Sequence, residues 1–169
     1  YDDKDLIKTG MPRFDINGEI PNKKMQEKRI IYAPSWRKYL VGELVNRRRQ
    51  PNYEEMKKSS FYQSNVSILT STRLKKILEE NNITLEFKLH PNFDCYREMF
   101  SEYTSKNIVL SDSEVSPNIY DMLITDFSSF QFDFIKYNVP IVYFIPDLKE
   151  FKAGLHTYRK LDLQLEDAF

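Results

Sequence analysis

An α/β fold with a doubly wound parallel sheet is predicted by three features of this sequence. The stretch Tyr120–Lys149 reads as strand, turn, helix, turn and strand in thirty residues, which is a βαβ crossover and demands a parallel sheet covered on both faces. Short apolar runs alternate with helical patterns along the rest of the chain. Polar clusters follow three of those runs directly, where ligands of parallel sheets sit.

Taken in order, Asp2–Asp15 is polar and punctuated by Gly10 and Pro12, as a linker or edge element would be. Lys23–Arg29 suits a short charged helix or a loop. The first strand spans about 30–33 and ends at Pro34, leaving Ser35-Trp36-Arg37-Lys38 at its C-terminal end. Residues 39–63 hold no periodicity and carry Arg47-Arg48-Arg49, Lys57 and Lys58 among Tyr53, Phe61 and Tyr62. They are expected to form a basic surface excursion with at most a short helix: a solvated loop, or a flap that meets an anionic acceptor or a membrane surface. Arg73–Glu80 places Leu74, Ile77 and Leu78 on one helical face, with Asn81 and Asn82 ending it. The second strand, 84–89, runs into His90-Pro91, followed by a helix from Phe93 to Tyr103 and a third strand at 108–110. A polar, Pro-containing segment from Asp112 to Asn118 precedes the fourth strand, 122–125. Phe130, Phe134 and Ile135 give the next helix an apolar stripe; Asn138 and Pro140 close it, and the fifth strand is 141–144. Leu148–Phe151 makes at most one turn, and the remainder to Phe169 has few anchors.

The length of 169 residues suits one domain, with 41% apolar and 30% charged residues as in a globular chain. One cysteine, Cys95, rules out an intrachain disulfide framework and fits a reducing compartment. Residues 1–60 hold 14 Lys/Arg against 9 Asp/Glu, and residues 61–169 hold 11 against 16. A split of +5 and −5 allows a basic patch but not a nucleic-acid binder. Two histidines supply no zinc cluster, and four glycines no glycine-rich phosphate loop. The chain starts without Met and without a recognisable domain start, as a piece of a longer protein would.

In the strand order 3-2-1-4-5 the first and fourth strands are neighbours at the switch point. The turns Pro34–Arg37 and Asp126–Ser129 then face each other, with His90 beside them. Ser128 and Ser129 offer hydroxyl and backbone N–H donors to a phosphate, with the helix dipole behind them, or they simply cap the helix. Arg37 is either a bidentate phosphate partner or a surface arginine. Asp126 fixes the turn by accepting backbone N–H bonds, or orients His90 or a sugar hydroxyl. His90 either holds a diphosphate and stabilises charge during transfer, or is a packed imidazole. His156 makes a weaker candidate, and Phe127, Phe130, Phe132 and Phe134 read as core.

Four ordered blocks carry a resemblance: GMPRFD (10–15), IIYAPSWR (30–37), KLHP (88–91) and MLITDFSSFQFDFIKYNVPIVYFIPDL (122–148). Together they resemble the signature blocks of the CDP-glycerol glycerophosphotransferases, which prime or polymerise teichoic acids. The resemblance implies the second, Rossmann-like, nucleotide-binding domain of a two-domain GT-B architecture, filling residues 1–169. It implies a CDP-glycerol or related CDP-polyol donor, no cofactor, and a membrane-linked polyol phosphate acceptor engaged through the companion domain. That domain would also hold the general-base histidine. The enzyme is expected in the cytoplasm, peripheral on the inner membrane face.

His90 matches the family's histidine at the diphosphate and is the expected catalytic residue. Ser128, Ser129 and Asp126 match its TDYSS turn, and Pro34, Ser35 and Arg37 its PTWR motif, all expected at the donor. Phe127 stands where Tyr is usual and Ser35 where Thr is usual. The Asp112–Tyr120 connection is several residues short, and Lys152-Ala153-Gly154 replaces an expected Arg-Gly pair. The alternatives are a sugar-nucleotide GT-B glycosyltransferase and a non-catalytic nucleotide-binding module.

Overall fold

The computed structural model describes residues 27–111 and 115–154. The GMPRFD block, most of the Lys23–Arg29 segment and His156 lie outside them. Five strands, β1 (Lys28–Ala33), β4 (Ile83–Phe87), β5 (Ile108–Leu110), β6 (Met122–Thr125) and β7 (Ile141–Tyr143), form one sheet. Its order is β5-β4-β1-β6-β7, with every pairing parallel. This is the doubly wound arrangement that the alternating elements predict. The order reverses between β1 and β6, which opens a crevice there.

The central strand shows why both faces must be covered. Strand β1 sends Ile31 and Ala33 into one cluster with Leu123, Phe134, Tyr120 and Val139. It sends Tyr32 into the other, with Leu85, Phe87, Phe93, Tyr96 and Phe100. Side chains one residue apart point to opposite faces, so each strand of this kind feeds two cores. Burying a large apolar side chain contributes roughly 1.5–3 kcal/mol, and Ile31, Leu123 and Phe134 are fully buried.

The edge departs from this rule. Strand β7 was expected to be buried, yet Val142 and Tyr143 are 43% and 48% exposed. A strand paired on one side only has less to cover it. Phe132 and Ile135 are likewise exposed, so the apolar stripe of α5 (Gln131–Ile135) narrows to Phe134 and the half-buried Phe130.

The segment expected as a basic excursion is ordered throughout. It forms a hairpin of β2 (Val41–Val45) and β3 (Arg48–Pro51), then α1 (Tyr53–Lys58) and α2 (Ser60–Thr70). Asn46 and Arg47 take φ of 50° and 64°, the backbone that a two-residue hairpin turn needs. Asn52 caps α1 by accepting from the Glu55 N–H, and Ser59 caps α2 by accepting from the Tyr62 N–H. Phe61, Asn65 and Leu69 recur every fourth residue and are all buried. The polar Asn65 breaks the apolar period in sequence, but its amide donates to the Phe61 carbonyl at 2.7 Å and so fits the core. Ser71 then caps α3 (Thr72–Glu80).

Beyond β4, the helix expected from Phe93 begins as a 3-10 turn, Pro91–Tyr96, and turns α-helical only in α4 (Arg97–Ser101). A second 3-10 turn, Pro117–Ile119, leads into β6. The expected single turn after Pro146 is a full helix, α6 (Leu148–Gly154).

Asn82 and Asn138 end α3 and α5 with φ of 51° and 53°. Asn tolerates this left-handed backbone and β-branched residues do not. Asn138→Val should therefore lower stability by about 1–2 kcal/mol, read as a fall in the denaturant midpoint, while Asn138→Gly should leave it nearly unchanged. Equal midpoints for the two variants would show that the helix does not depend on this cap.

Candidate functional site

At the switch point the C-terminal strand ends enclose a cavity of about 330 Å³. Strand β1 contributes Ala33 and Pro34, and the end of β4 contributes Lys88, Leu89, His90 and Pro91. The turn after β6 contributes Ser128 and Ser129, and the start of α5 Phe130 and Asp133. The volume lies at the lower end of the roughly 300–1,000 Å³ of small-molecule sites. It has room for a small polar molecule.

His90 sits where the extended chain turns into the Pro91–Tyr96 segment. Its Nδ1 accepts the Asn92 N–H at 3.1 Å. A ring nitrogen that accepts cannot carry the proton, so the neutral imidazole bears it on Nε2. The ring stacks on Trp36, with centroids 5.8 Å apart and planes 24° apart. Half-burial, and to a lesser extent the Lys88 charge, hold its pKa below the ordinary 6.5. The His90 of this structure is a neutral donor at pH 7, fixed in tautomer and in ring plane.

The Ser128–Ser129 turn works differently from a dipole-driven anion site. Helix α5 is only five residues long, so its macrodipole is small. The Gln131, Phe132 and Asp133 N–H groups are already taken by the carbonyls of Ser128, Ser129 and Phe130. Ser128 Oγ accepts the Phe130 N–H at 3.2 Å, which leaves its own O–H to donate. What this turn offers the cavity is hydroxyl donors.

Arg37, Asp126 and Ser35 do not line the cavity; they lie beside it in a buried cluster. Arg37 is 2% exposed, and each of its five N–H groups has a protein partner. Nε donates to Asp147 Oδ2 at 2.6 Å, and Nη2 to Asp147 Oδ1 and Asp126 Oδ2, both at 2.8 Å. Nη1 donates to the Ser35 carbonyl at 2.8 Å and to Ser35 Oγ at 3.1 Å. Asp126 Oδ1 accepts the Ser35 N–H at 2.8 Å and its hydroxyl at 2.7 Å. Asp126 thus fixes a turn, as the sequence suggests, but the turn is the opposite one.

The guanidinium carbon lies 5.0, 5.9 and 4.7 Å from the ring centroids of Phe61, Phe127 and Phe151. The Phe127 and Phe151 rings stack at 3.8 Å. Direct phosphate contact by Arg37, one of the two sequence readings, would break two buried ion pairs. Removing one partner of such a pair costs about 3–5 kcal/mol. Arg37 is therefore a scaffold for the rim, and Phe127 packs against it rather than lining the cavity.

Lys88, Asp133 and Asp147 are missing from the sequence-derived site. Lys88 had a signal: it stands two residues before His90, and period-two alternation brings both to one side of an extended segment. Asp133 follows Ser129 by one helical turn, which is also legible. Asp147 had only its place after the fifth strand. Lys152 lies in α6, away from the cavity. Among the described residues no group of three or more His, Cys, Asp or Glu is arranged to hold a metal ion.

Two predictions follow from the geometry. Asp147→Ala leaves Arg37 buried and half-paired, and should destabilise the fold by about 3–5 kcal/mol; a loss below 1 kcal/mol in chemical denaturation would refute the scaffold role. Because the folded pKa of His90 is depressed, its contribution to stability is present above the unfolded value of 6.5. That contribution is lost as pH falls through the folded value. Imidazole NMR should place the titration below 6.5, and Lys88→Met should move it upward. An unshifted midpoint in the variant would rule out the Lys88 contribution.

Comparison with known proteins gives this chain a family. The chain is 26% identical over 168 residues to the minor teichoic acid biosynthesis protein GgaB of Bacillus subtilis (strain 168), covering 95% of this chain and 18% of that protein. It is 25% identical over 175 residues to the teichoic acid poly(glycerol phosphate) polymerase of Bacillus spizizenii (strain ATCC 23059 / NRRL B-14472 / W23), covering 92% and 39%. The chain thus spans well under half the length of either relative. Among solved structures, the wall teichoic acid polymerase TagF aligns with TM-score 0.42 and 21% identity over 80% of this chain and 29% of that one. A variant of the same polymerase soaked with CDPG aligns with TM-score 0.42 and 19% identity, covering 82% and 28%. Residues 1–165 match the family described as CDP-Glycerol:Poly(glycerophosphate) glycerophosphotransferase, and the chain belongs to that family.

Proposed function

We propose that this chain is the donor-binding domain of a polyol-phosphate transferase. It would take CDP-glycerol or a related CDP-polyol and serve transfer of the polyol phosphate to a membrane-linked teichoic-acid or polysaccharide acceptor, with release of CMP. One observation carries the reading: His90, Ser128 and Ser129 converge with Lys88 on a single cavity at the switch point. These are hydrogen-bond donors and a cation, with Asp133 also in the lining, around a space with room for a diphosphate, in a chain of the glycerophosphotransferase family. No cofactor enters this reading.

In the transfer an acceptor hydroxyl oxygen attacks the polyol-bearing phosphorus in line. A new P–O bond forms, the bond to the CMP oxygen breaks, and CMP leaves with the electron pair. The proton of the acceptor hydroxyl goes to a base that we assign to the companion domain of the two-domain arrangement. CMP is a good leaving group, its second pKa being roughly 6, so strong acid catalysis is not needed. This domain's task is to hold the diphosphate and offset charge on its oxygens.

Neutral His90 donates through Nε2–H, and Ser128 and Ser129 donate through their hydroxyls. Lys88 adds the positive charge that Arg37, locked in its cluster, does not bring to the cavity. Asp133 repels phosphate and accepts from hydroxyls, so it suits the polyol end of the donor. A membrane-linked acceptor would call for a peripheral enzyme at the inner face of the cell membrane. Among the described residues no helix is long and apolar enough to cross a membrane.

Titration calorimetry tests the donor site. The isolated chain should bind CMP and CDP weakly, in preference to UDP and GDP, and should not catalyse transfer by itself. A folded chain that ignores cytidine nucleotides, or prefers UDP or GDP, overturns the reading. An anion beside His90 favours imidazolium, so CDP should raise the His90 pKa. In an enzyme carrying this domain with its companion, His90→Ala should lose turnover by orders of magnitude with folding intact; near-wild-type turnover would remove His90 from the mechanism.

A further inference from the structure

We propose that the β2–β3 hairpin is the surface by which this domain docks on an anionic lipid bilayer. Among the described residues its two strands pair only with each other, so the ribbon stands apart from the five-stranded sheet. At its tip Leu44 and Val45 are 57% and 46% exposed. The adjoining turn and return strand bring Arg47, Arg48 and Arg49 in succession. In the ladder Val45 stands opposite Arg48 and Leu44 opposite Arg49, so each face of the tip carries an aliphatic beside an arginine.

A single exposed aliphatic is ordinary on a protein surface. Two adjacent ones beside the exposed Arg47 and Arg48 form an amphipathic tip, while Arg49 packs back over Trp36. Aliphatic side chains of this kind enter the acyl boundary while the guanidinium groups meet headgroup phosphates. Glu43 opposes them, leaving three cations against one anion between Val41 and Pro51, with Glu54 and Glu55 following in α1. Local stability does not explain Arg47, which stands at φ 64° where glycine fits better. A soluble polyanion would use the arginines and leave Leu44 and Val45 without a role, which favours lipid as the partner.

The hairpin is also mechanically joined to the cavity. The Tyr96 hydroxyl donates to the Leu40 carbonyl before β2 and accepts the Asn52 N–H after β3 at 2.6 Å. Tyr96 closes the same 3-10 turn that starts at His90. From the hairpin's return strand the Arg49 guanidinium sits 5.5 Å from the Trp36 ring centroid, and Trp36 stacks on His90. A bilayer that holds the tip therefore holds the His90 side of the cavity near the membrane surface. The inference rests on the proposed function only for placing the reaction at a membrane.

The test is co-sedimentation of the chain with phosphatidylglycerol–phosphatidylcholine vesicles and with phosphatidylcholine vesicles alone, with CDP titration run in parallel. Binding is expected with the anionic vesicles alone. Arg47→Gln and Arg48→Gln should each weaken it roughly fivefold. A Leu44→Ser/Val45→Ser pair should weaken it further at high salt, where charge attraction is screened. All variants should keep the wild-type circular dichroism and CDP affinity, so loss of vesicle binding is read separately from loss of the donor site. Absence of binding to anionic vesicles overturns the proposal. So does an arginine-dependent, Leu44/Val45-independent binding that soluble poly(glycerol phosphate) abolishes, which would make the hairpin an acceptor-polymer surface.

Discussion

The architecture of the rim depends on one buried cation. Arg37 enters after β1, Asp126 after β6 and Asp147 after β7, so the cluster ties three of the five strand ends together. Leaving water is costly for a guanidinium, and the cost is met only because all five N–H groups find acceptors in good geometry. Burial alone would lower the Arg37 pKa; hydrogen bonds and charge from Asp147 and Asp126 outweigh it and raise the pKa instead. The charge is permanent. The three aromatic rings around the guanidinium exclude water and add cation–π attraction of about 0.5–2 kcal/mol each at most. Ser128 follows Asp126 by two residues, so the position of the hydroxyl turn is inherited from this cluster.

A second tie runs outward from it. Glu150, in α6, accepts the Ser60 N–H at 3.3 Å and also bonds the Ser60 and Tyr39 hydroxyls. The carboxylate sits at the first turn of α2, where the helix dipole favours it. Asp147 at the start of α6 and Glu150 one turn later thus connect the last described helix to Arg37 and to the helical layer. Phe127, where the resemblance leads one to expect Tyr, stacks on Phe151 of that same helix and does not line the cavity.

The sheet was legible in the sequence because it is local and apolar. Ile30–Ala33, Ile108–Leu110 and Met122–Thr125 are short hydrophobic runs ended by Pro, Ser or Asp, and the strand order is that of the common doubly wound sheet. His90 and the serine turn were legible because each directly follows a strand. The Arg37 cluster was not, since Arg37 and Asp147 are 110 residues apart and nothing local distinguishes a buried arginine from an exposed one. The hairpin and α2 were missed for different reasons. The Asn46-Arg47 turn lacks the glycine that marks most two-residue turns, and the polar Asn65 interrupts the apolar spacing of α2.

These separations carry a consequence for how the site works. Two neighbouring sets of residues divide the work: one cluster is closed and fully paired, and the other lines the cavity with His90, the Ser128 and Ser129 hydroxyls, Lys88 and Asp133. In the proposed reading His90 and the two hydroxyls meet a diphosphate as uncharged donors, without the full positive charge and fork geometry that a bidentate arginine would bring. Under the proposed function, modest ground-state binding would suit release of CMP after each transfer. Arg37 stays out of the cavity and, with Asp126, fixes the Ser35 turn beside it.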